Sequence, residues 1–282
     1  SLEDGVEAIM ADVSWQEPRD AAPPVPMIDE AAAYLAHARR ALGGPRPAHA
    51  RRIAVDCANG ATYQVAPALL RGLGFDVTAM ACEPDGRNIN LECGSTHPER
   101  LARTVLAEGC DVGVAFDGDG DRAILVDAAG RIVDGDAVLL MCAKRMQAAG
   151  RLRGNTVVAT VMSNLGLEMA LRDLGIGLVR CPVGDKYVME ELLRDDLSLG
   201  GEQSGHVIFP DFLYTGDGIV TALNVLRVMA ETGRTLADLA GDLQTYPQVL
   251  LNLRVREKRD WMTIPAAARA IEGVEAKLAG RG

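Results

Sequence analysis

The sequence has no excess of positive charge. Its 282 residues contain 29 lysines and arginines against 39 aspartates and glutamates, which gives a formal net charge of −10. Proteins that bind nucleic acid normally present a basic face, so this balance argues against a nucleic-acid partner. It leaves room for a small anionic substrate, because a few local cations are enough to bind one.

Paired cysteines, a signal peptide and a long apolar run are also lacking. The six cysteines, at positions 57, 82, 93, 110, 142 and 181, form no C-x-x-C pair. This is typical of reduced thiols in a cytoplasmic protein rather than of a disulfide framework or a zinc site. No apolar run is long enough to span a membrane. The first residues, "SLEDGVEAIMADVSW", carry acids where a signal peptide would carry bases. We therefore expect a cytoplasmic protein without a membrane partner.

Strand-like and helix-like segments alternate along most of the chain, which predicts an α/β fold. We expect two consecutive α/β domains with mixed, mostly parallel sheets, at residues 46–149 and 150–246. Residues 1–45, which include a linker helix, and residues 247–282 are expected to be pieces of two further domains. The chain lacks an initiator methionine and ends without a clear stop element, which suggests a fragment of a longer protein.

Three aspartates at alternate positions follow a predicted strand in "DVGVAFDGDGDRAILVD". Ligands gather beyond the carboxyl ends of strands in open parallel sheets, and the intervening glycines let Asp117, Asp119 and Asp121 turn toward one point. Carboxylates about 4 Å apart repel by roughly 4 kcal/mol per pair at an effective dielectric near 20. A hard divalent cation such as Mg²⁺ would offset that repulsion. A solvated Asp-Gly turn is the alternative.

Two other known motifs also contain closely spaced aspartates. An EF-hand loop beginning at Asp117 would need glycine at its sixth position and glutamate at its twelfth, where the chain has Arg122 and Ala128, so it is excluded. A haloacid-dehalogenase-type phosphatase also places D-x-D after a strand, with the first aspartate as nucleophile. It normally has threonine or valine where this chain has Asp121, so this alternative stays open but is weaker.

The stretch "GGEQSGH" predicts a strand pair around a polar tip that presents Glu202, Ser204 and His206. A carboxylate beside a hydroxyl forms good hydrogen bonds to neighbouring sugar hydroxyls. The alternative is an ordinary polar turn, and His206 taken alone is more typical of a structural residue.

The stretch "CPVGDKYVME" places Gly184 and Asp185 at the start of a predicted helix, with Lys186 in its first turn. Exposed backbone N–H groups and a nearby lysine suit a phosphate. The alternative is an aspartate N-cap beside a solvated lysine.

These three segments, in this order, resemble the α-D-phosphohexomutase superfamily. "FDGDGDR" is similar to its metal-binding loop and "GEQSGH" to its sugar-binding loop. "VDCANGA", "PDGRNINLECGSTHPE", "NTVVATVMSNLGLE" and "VGDKYVME" resemble the bacterial phosphoglucosamine mutase branch. The likeness runs from Arg51 to Arg256. It implies a four-domain parent, of which this chain would hold the tail of the first domain, the second and third domains, and the beginning of the fourth.

The resemblance implies roles for particular residues. Asp117, Asp119 and Asp121 would hold Mg²⁺ against a phosphoserine, and Arg122 would stabilise the phosphoryl group in transfer. Glu202 and Ser204 would bind sugar hydroxyls O3 and O4. The residues implied as catalytic are Arg122, Lys186 and His206, and those implied as substrate-binding are Gly184, Asp185, Glu202 and Ser204.

The implied reaction interconverts glucosamine 6-phosphate and glucosamine 1-phosphate through a phosphoserine enzyme, with glucosamine 1,6-bisphosphate or a related sugar bisphosphate as activator. The family's serine loop, of the form Thr-Ala-Ser-His-Asn, and its last-domain loop, of the form Arg-Pro-Ser-Gly-Thr, are absent from these residues. We therefore expect no activity from this chain alone. The alternatives are a phosphomannomutase or phosphoglucomutase, a sugar-phosphate-binding module, or a phosphatase. The expected partner is a phosphosugar, and a homodimer is compatible with the sequence.

Overall fold

The computed structural model describes residues 2–12, 30–251, 254–257 and 260–278. The chain divides into two compact units after Ala32. The first contains helix α1 (Leu2–Ala11), and both sheets lie in the second. In the part of the chain that the structure describes, every helix is too short or too polar to cross a bilayer.

The first sheet has five strands: β1 (Arg52–Asp56), β2 (Asp76–Met80), β3 (Val112–Phe116), β4 (Ala123–Asp127) and β5 (Ile132–Val133). Their order is β2-β1-β3-β4-β5. β1 is parallel to β2 and β3, whereas β3–β4 and β4–β5 are antiparallel pairs. Strands β3 and β4 are buried along their whole length and apolar except for Asp127 at the end of β4, as expected where both faces of a sheet are covered.

Three helices flank the first sheet: α2 (Ala31–Leu42), α3 (Val65–Gly72) and α4 (Glu99–Glu108). Leu101 and Val105 lie one turn apart on α4 and form a small buried cluster with Ala54 of β1 and Ala115 of β3. The carboxyl ends of β1, β2 and β3 meet at one edge because these strands are parallel. The loops that follow these strands therefore lie together.

The second sheet has four strands: β6 (Thr156–Thr160), β7 (Gly177–Cys181), β8 (Gly200–Gly201) and β9 (Val207–Ile208). Their order is β7-β6-β8-β9, with β6 parallel to β7 and β8, and β8 antiparallel to β9. The helices of this region are α5 (Gly135–Ala148), α6 (Leu165–Asp173), α7 (Asp185–Arg194), α8 (Gly218–Thr232) and α9 (Leu236–Ala240). Helix α10 (Pro265–Leu278) follows later in the chain.

Helix α8 lies between the two sheets. Nearly all of it is buried, and it packs against β4 of the first sheet, β9 of the second sheet and helix α5. Phe116, Val157 and Leu223, from the first sheet, the second sheet and α8, belong to one continuous buried cluster. The two sheets therefore share a core, which holds their loops in a defined relation.

The predicted α/β fold with mixed, mostly parallel sheets is confirmed. The predicted strand pair at residues 197–209 is present, but its ladder is short, since only two residues on each side pair as β8 and β9. Helix α9 was not predicted. It begins with a capping box in which Thr235 and Asp238 satisfy each other's backbone N–H groups. The domain boundaries at 149/150 and 246/247 stay a prediction.

Asp136, in the first turn of α5, is completely buried. Burial raises the pKa of its carboxyl to about 6, although the Asn164 backbone N–H donates to Oδ2 at 2.7 Å and opposes that rise. Between about pH 4 and pH 6, Asp136 therefore holds a proton in the folded state that it has lost in the unfolded state. The free energy of unfolding falls as pH rises from about 4 to 6, because Asp136 must then be buried as a charge.

We expect Asp136→Asn to stabilise the chain at pH 8 by roughly 1–3 kcal/mol, because asparagine keeps an acceptor oxygen but cannot ionise. Most of the advantage should be lost near pH 4, where the folded aspartate is protonated and the unfolded aspartate is only partly ionised. Urea unfolding midpoints at pH 4 and pH 8 test this, with exposed Asp173→Asn as the control. A variant that is less stable than the parent chain at pH 8 would show that the charged carboxylate is required.

Candidate functional site

The three aspartates after β3 converge. One carboxylate oxygen from each of Asp117, Asp119 and Asp121 lies within 4.8 Å of the other two. Asp117 is buried, Asp121 is half-buried and Asp119 is exposed. The group is therefore anchored at one end and open to solvent at the other, which suits a cation that also binds a ligand.

Backbone contacts from neighbouring loops hold residues 117–121, the candidate metal loop. The Ala61 N–H donates to the Gly118 carbonyl at 2.8 Å, and the Gly218 N–H donates to the Gly120 carbonyl at 2.9 Å. Gly60 packs so closely that a Cβ atom there would lie 2.2 Å from the Gly118 oxygen. The loop conformation thus depends on the turn after β1 and on the start of α8.

Arg122 is the cation nearest to the aspartates in the described part of the chain. Its backbone N–H donates to Asp117 Oδ1 at 3.1 Å, and its Nε lies 2.7 Å from Asp117 Oδ2 and 3.3 Å from Asp121 Oδ1. Even so, burial and the neighbouring Asp121 raise the pKa of the Asp117 carboxyl. The Arg122 guanidinium therefore does not fully offset the cost of burying the Asp117 carboxylate beside Asp121.

His206 does not project from the hairpin tip but is buried beneath it. Its Nδ1 lies 2.9 Å from Asp121 Oδ2. The backbone of His206 pairs with the backbone of Arg122 in an isolated antiparallel bridge. Gly216 lies against the ring, since a Cβ atom at that position would be 2.3 Å from Cε1. His206 therefore contacts a candidate metal ligand, and it joins the hairpin of the second sheet to the metal loop.

Glu202 and Ser204 are adjacent at the tip of the β8–β9 hairpin. The Ser204 hydroxyl donates to Glu202 Oε2 at 3.2 Å. The other carboxylate oxygen, Oε1, accepts the Gly184 N–H at 3.1 Å. Glu202 therefore connects the hairpin to the start of α7.

The start of α7 presents a free ammonium group. Asp185 and Lys186 are exposed, and the Lys186 side chain forms no hydrogen bond or ion pair with the described residues. The Lys186 backbone N–H donates to Asp185 Oδ1 at 2.8 Å, and the Gly184 N–H is bound to Glu202. Two backbone donors of this turn are thus already occupied, so the lysine ammonium is the main group that can bind an anion here.

Contacts within the chain connect the three segments singled out in the sequence. The metal loop meets the hairpin through Asp121 and His206, and the hairpin meets α7 through Glu202 and Gly184. Sequence reasoning did not identify the supporting loops after β1 and before α4. The Asn59–Gly60 pair is a turn signal in the sequence. In the structure, Asn59 and Asn90 both adopt positive φ, which is uncommon outside glycine. The Asn90 backbone N–H donates to the Ala58 carbonyl, which ties these two loops together.

Comparison with known families gives two adjacent matches. Residues 32–130 match the description "Phosphoglucomutase/phosphomannomutase, alpha/beta/alpha domain II". Residues 134–246 match domain III of the same family. Both matched regions contain candidate site residues: the metal loop lies in the first, and the hairpin and the start of α7 lie in the second.

Individual relatives agree with these matches. The phosphoglucosamine mutase of Solibacter usitatus is 55% identical over 231 residues, which cover 82% of this chain and 52% of that protein. A phosphoglucomutase/phosphomannomutase family protein from Burkholderia thailandensis has a similar structure, with a TM-score of 0.67 and 28% identity over 77% of this chain and 47% of that one. The chain thus spans about half the length of these relatives.

A third comparison is more distant and concerns the fold alone. The N-acetylphosphoglucosamine mutase of Aspergillus fumigatus, solved with GlcNAc-6P and magnesium, matches with a TM-score of 0.63 and 21% identity. The match covers 79% of this chain and 51% of that protein.

We expect Gly60→Ala to displace the metal loop, because the added methyl group would collide with the Gly118 carbonyl oxygen. The variant should lose roughly 1–3 kcal/mol of unfolding free energy and bind divalent cations more weakly. Gly44→Ala is the matched control, since nothing lies within 4 Å of a Cβ atom there. Equal stability and equal cation affinity of the two variants would show that the Gly60 contact does not support the loop.

Proposed function

Because this chain belongs to the phosphoglucomutase/phosphomannomutase family of the α-D-phosphohexomutase superfamily, we propose that it provides the metal-binding and sugar-binding regions of a phosphoglucosamine mutase. The observation that carries this proposal is the connection of the aspartate loop to the Glu202–Ser204 tip through His206. A phosphoryl transfer between two positions of a sugar needs a group that stabilises charge and side chains that bind the sugar at a fixed position relative to that group.

Asp117, Asp119 and Asp121 would hold Mg²⁺. Their oxygens are hard ligands within reach of one ion. Burial, together with the neighbouring Asp121, raises the pKa of the Asp117 carboxyl, and a cation would offset the cost of ionising it. A bound Mg²⁺ would supply electrostatic stabilisation to the phosphoryl group. Arg122 lies beside the same carboxylates with part of its guanidinium exposed, and we assign it a contact with the phosphoryl oxygens.

Glu202 and Ser204 would bind neighbouring ring hydroxyls, O3 and O4 by the family resemblance. Those hydroxyls stay within reach whichever end of the sugar faces the phosphate donor, so one loop can serve both half-reactions. The exposed Lys186, with Gly184 and Asp185 beside it, would bind the distal phosphate. His206 is assigned a positioning role through Asp121, because it is buried and does not face the open side of the loop.

The phosphatase alternative is disfavoured by the environment of Asp117. A nucleophilic aspartate must reach the phosphorus atom, but Asp117 is only 1% exposed and is paired with Arg122. The identity to phosphoglucosamine mutase, 55% over 231 residues, favours glucosamine phosphate over mannose or glucose phosphate as the substrate. The magnesium bound by the Aspergillus fumigatus relative is compatible with the same choice of metal here.

We expect the 282-residue chain to bind Mg²⁺ and Asp119→Asn to weaken that binding at least tenfold, because an exposed ligand is removed without disturbing the core. Isothermal titration measures both affinities. Asp173→Asn, which neutralises an exposed aspartate outside the site, should bind as the parent chain does. Equal affinities for all three proteins would reject the aspartate loop as the cation site.

The activity itself is tested on the full-length parent protein with Mg²⁺ and a trace of sugar 1,6-bisphosphate. We expect glucosamine 6-phosphate to be converted in preference to mannose and glucose 6-phosphates. These 282 residues contain neither the serine loop nor the last-domain phosphate loop, so we expect no turnover from them alone. Preference for mannose or glucose phosphate would overturn the substrate, and release of inorganic phosphate would overturn the reaction type.

A further inference from the structure

A second polar cavity lies away from the candidate site. It is small, with a volume of about 30 Å³, and lies between α5, α8 and the segment that follows β9. Three arginines and one glutamate line it together with two aromatic rings: Arg145, Arg151, Arg227, Glu231, Phe209 and Phe212. No role in the proposed reaction uses this cavity.

The three arginines share one carboxylate. Arg145 Nε lies 2.5 Å from Glu231 Oε2, and Arg227 Nε lies 2.9 Å from Glu231 Oε1. Arg151 Nη2 is more distant, at 3.8 Å from Glu231 Oε2. The remaining acid of the lining, Asp211, is already paired with Arg153. The cluster therefore carries more positive than negative charge.

Most of the guanidinium donors in this cluster are unused. Within the described residues, Arg145 and Arg227 each donate a side-chain hydrogen bond only from Nε, and the Arg151 side chain donates none. Each guanidinium has five N–H donors arranged to match the oxygens of a phosphate. Burial, Arg227 and Arg145 together lower the pKa of Arg151, although Glu231 opposes the shift. A second anion would offset this excess of positive charge.

The position of the cavity separates it from the candidate active site. Helix α8 starts beside the metal loop, where the Gly218 N–H contacts Gly120, and Glu231 lies near its other end. At 1.5 Å per residue, these two points are about 20 Å apart along the helix. A ligand in this cavity would therefore occupy a different place from the sugar phosphate.

We propose that this arginine cluster binds a phosphate ester, whose dianionic group is held by Arg145, Arg151 and Arg227 and whose organic part stays on the solvent side of the cavity. The charge excess matches a phosphate dianion, and paired guanidinium donors favour its oxygens over a halide. The competing interpretation is a purely structural ion network that stabilises the carboxyl ends of α5 and α8.

Titration calorimetry in magnesium-free buffer of constant ionic strength tests the proposal on the 282-residue chain. The probes are inorganic phosphate and phenyl phosphate, with chloride as the reference anion. We expect saturable binding of one phosphate probe per chain at this cavity, with similar affinities for the two probes because the ring stays outside it. Arg151→Gln should weaken binding at least tenfold. Arg172→Gln, at an exposed ion pair on α6, should leave it unchanged.

Two further variants separate the possible outcomes. Lys186→Ala removes the proposed phosphate contact of the active site. If this variant binds phenyl phosphate as tightly as the parent chain does, the ligand is assigned to the arginine cavity. Arg151→Lys keeps the charge but loses the planar fork, and it should bind weakly while remaining folded. Without phosphate, the Arg151→Gln variant should unfold at the same temperature as the parent chain or at a higher one, because the positive charge of Arg151 is poorly compensated in the parent chain.

Three results would overturn the proposal: no saturable binding, binding unaffected by both Arg151 variants, or binding lost in Lys186→Ala. A lower unfolding temperature of Arg151→Gln without any phosphate effect would support the structural network instead. The test does not depend on catalysis, so failure of the proposed mutase activity would leave it intact.

Discussion

Repulsion among three carboxylates at the end of one strand is the constraint around which the site is organised. Asp117, Asp119 and Asp121 lie close enough to share an ion, and each neighbouring group reduces the electrostatic cost. Arg122 pairs with Asp117 and Asp121, and the His206 ring also contacts Asp121. A divalent cation would neutralise the remaining negative charge, so the proposed affinity for a metal would follow from an arrangement that is otherwise unfavourable.

Helix α8 connects the metal loop to the rest of the second unit. Its first residues contact the metal loop, its buried middle packs between the two sheets, and its last turns line the arginine cavity. Tyr34 donates to the Asp217 carboxylate at 3.0 Å, and Asp217 also accepts the Val220 N–H as the N-cap of α8. The start of the helix is thus held by α2 as well as by the metal loop, which makes α8 a rigid link between two polar sites.

Several features were predictable because they depend on local chemistry. The alternation of apolar strands and amphipathic helices identified the α/β class, and spacing by two after an apolar strand predicted that the three aspartates converge. The inward turn of His206 was not predictable from that pattern. An alternating hairpin would place it on the same side as Glu202 and Ser204, whereas the bridge to Arg122 and the space left by Gly216 direct the ring beneath the hairpin. Such contacts join residues far apart in the chain.

The sequence by itself determined which groups are available: three aspartates, a carboxylate beside a hydroxyl, and a lysine at a helix start. These are properties of short stretches, and glycine spacing and strand periodicity act over a few residues. Only the tertiary structure decided which groups meet. The contact between Asp121 and His206 spans 85 residues, and the convergence of Arg145, Arg151 and Arg227 on Glu231 requires α5 and α8 to pack together. Pairings of that kind depend on the shared core between the two sheets, which no local pattern specifies.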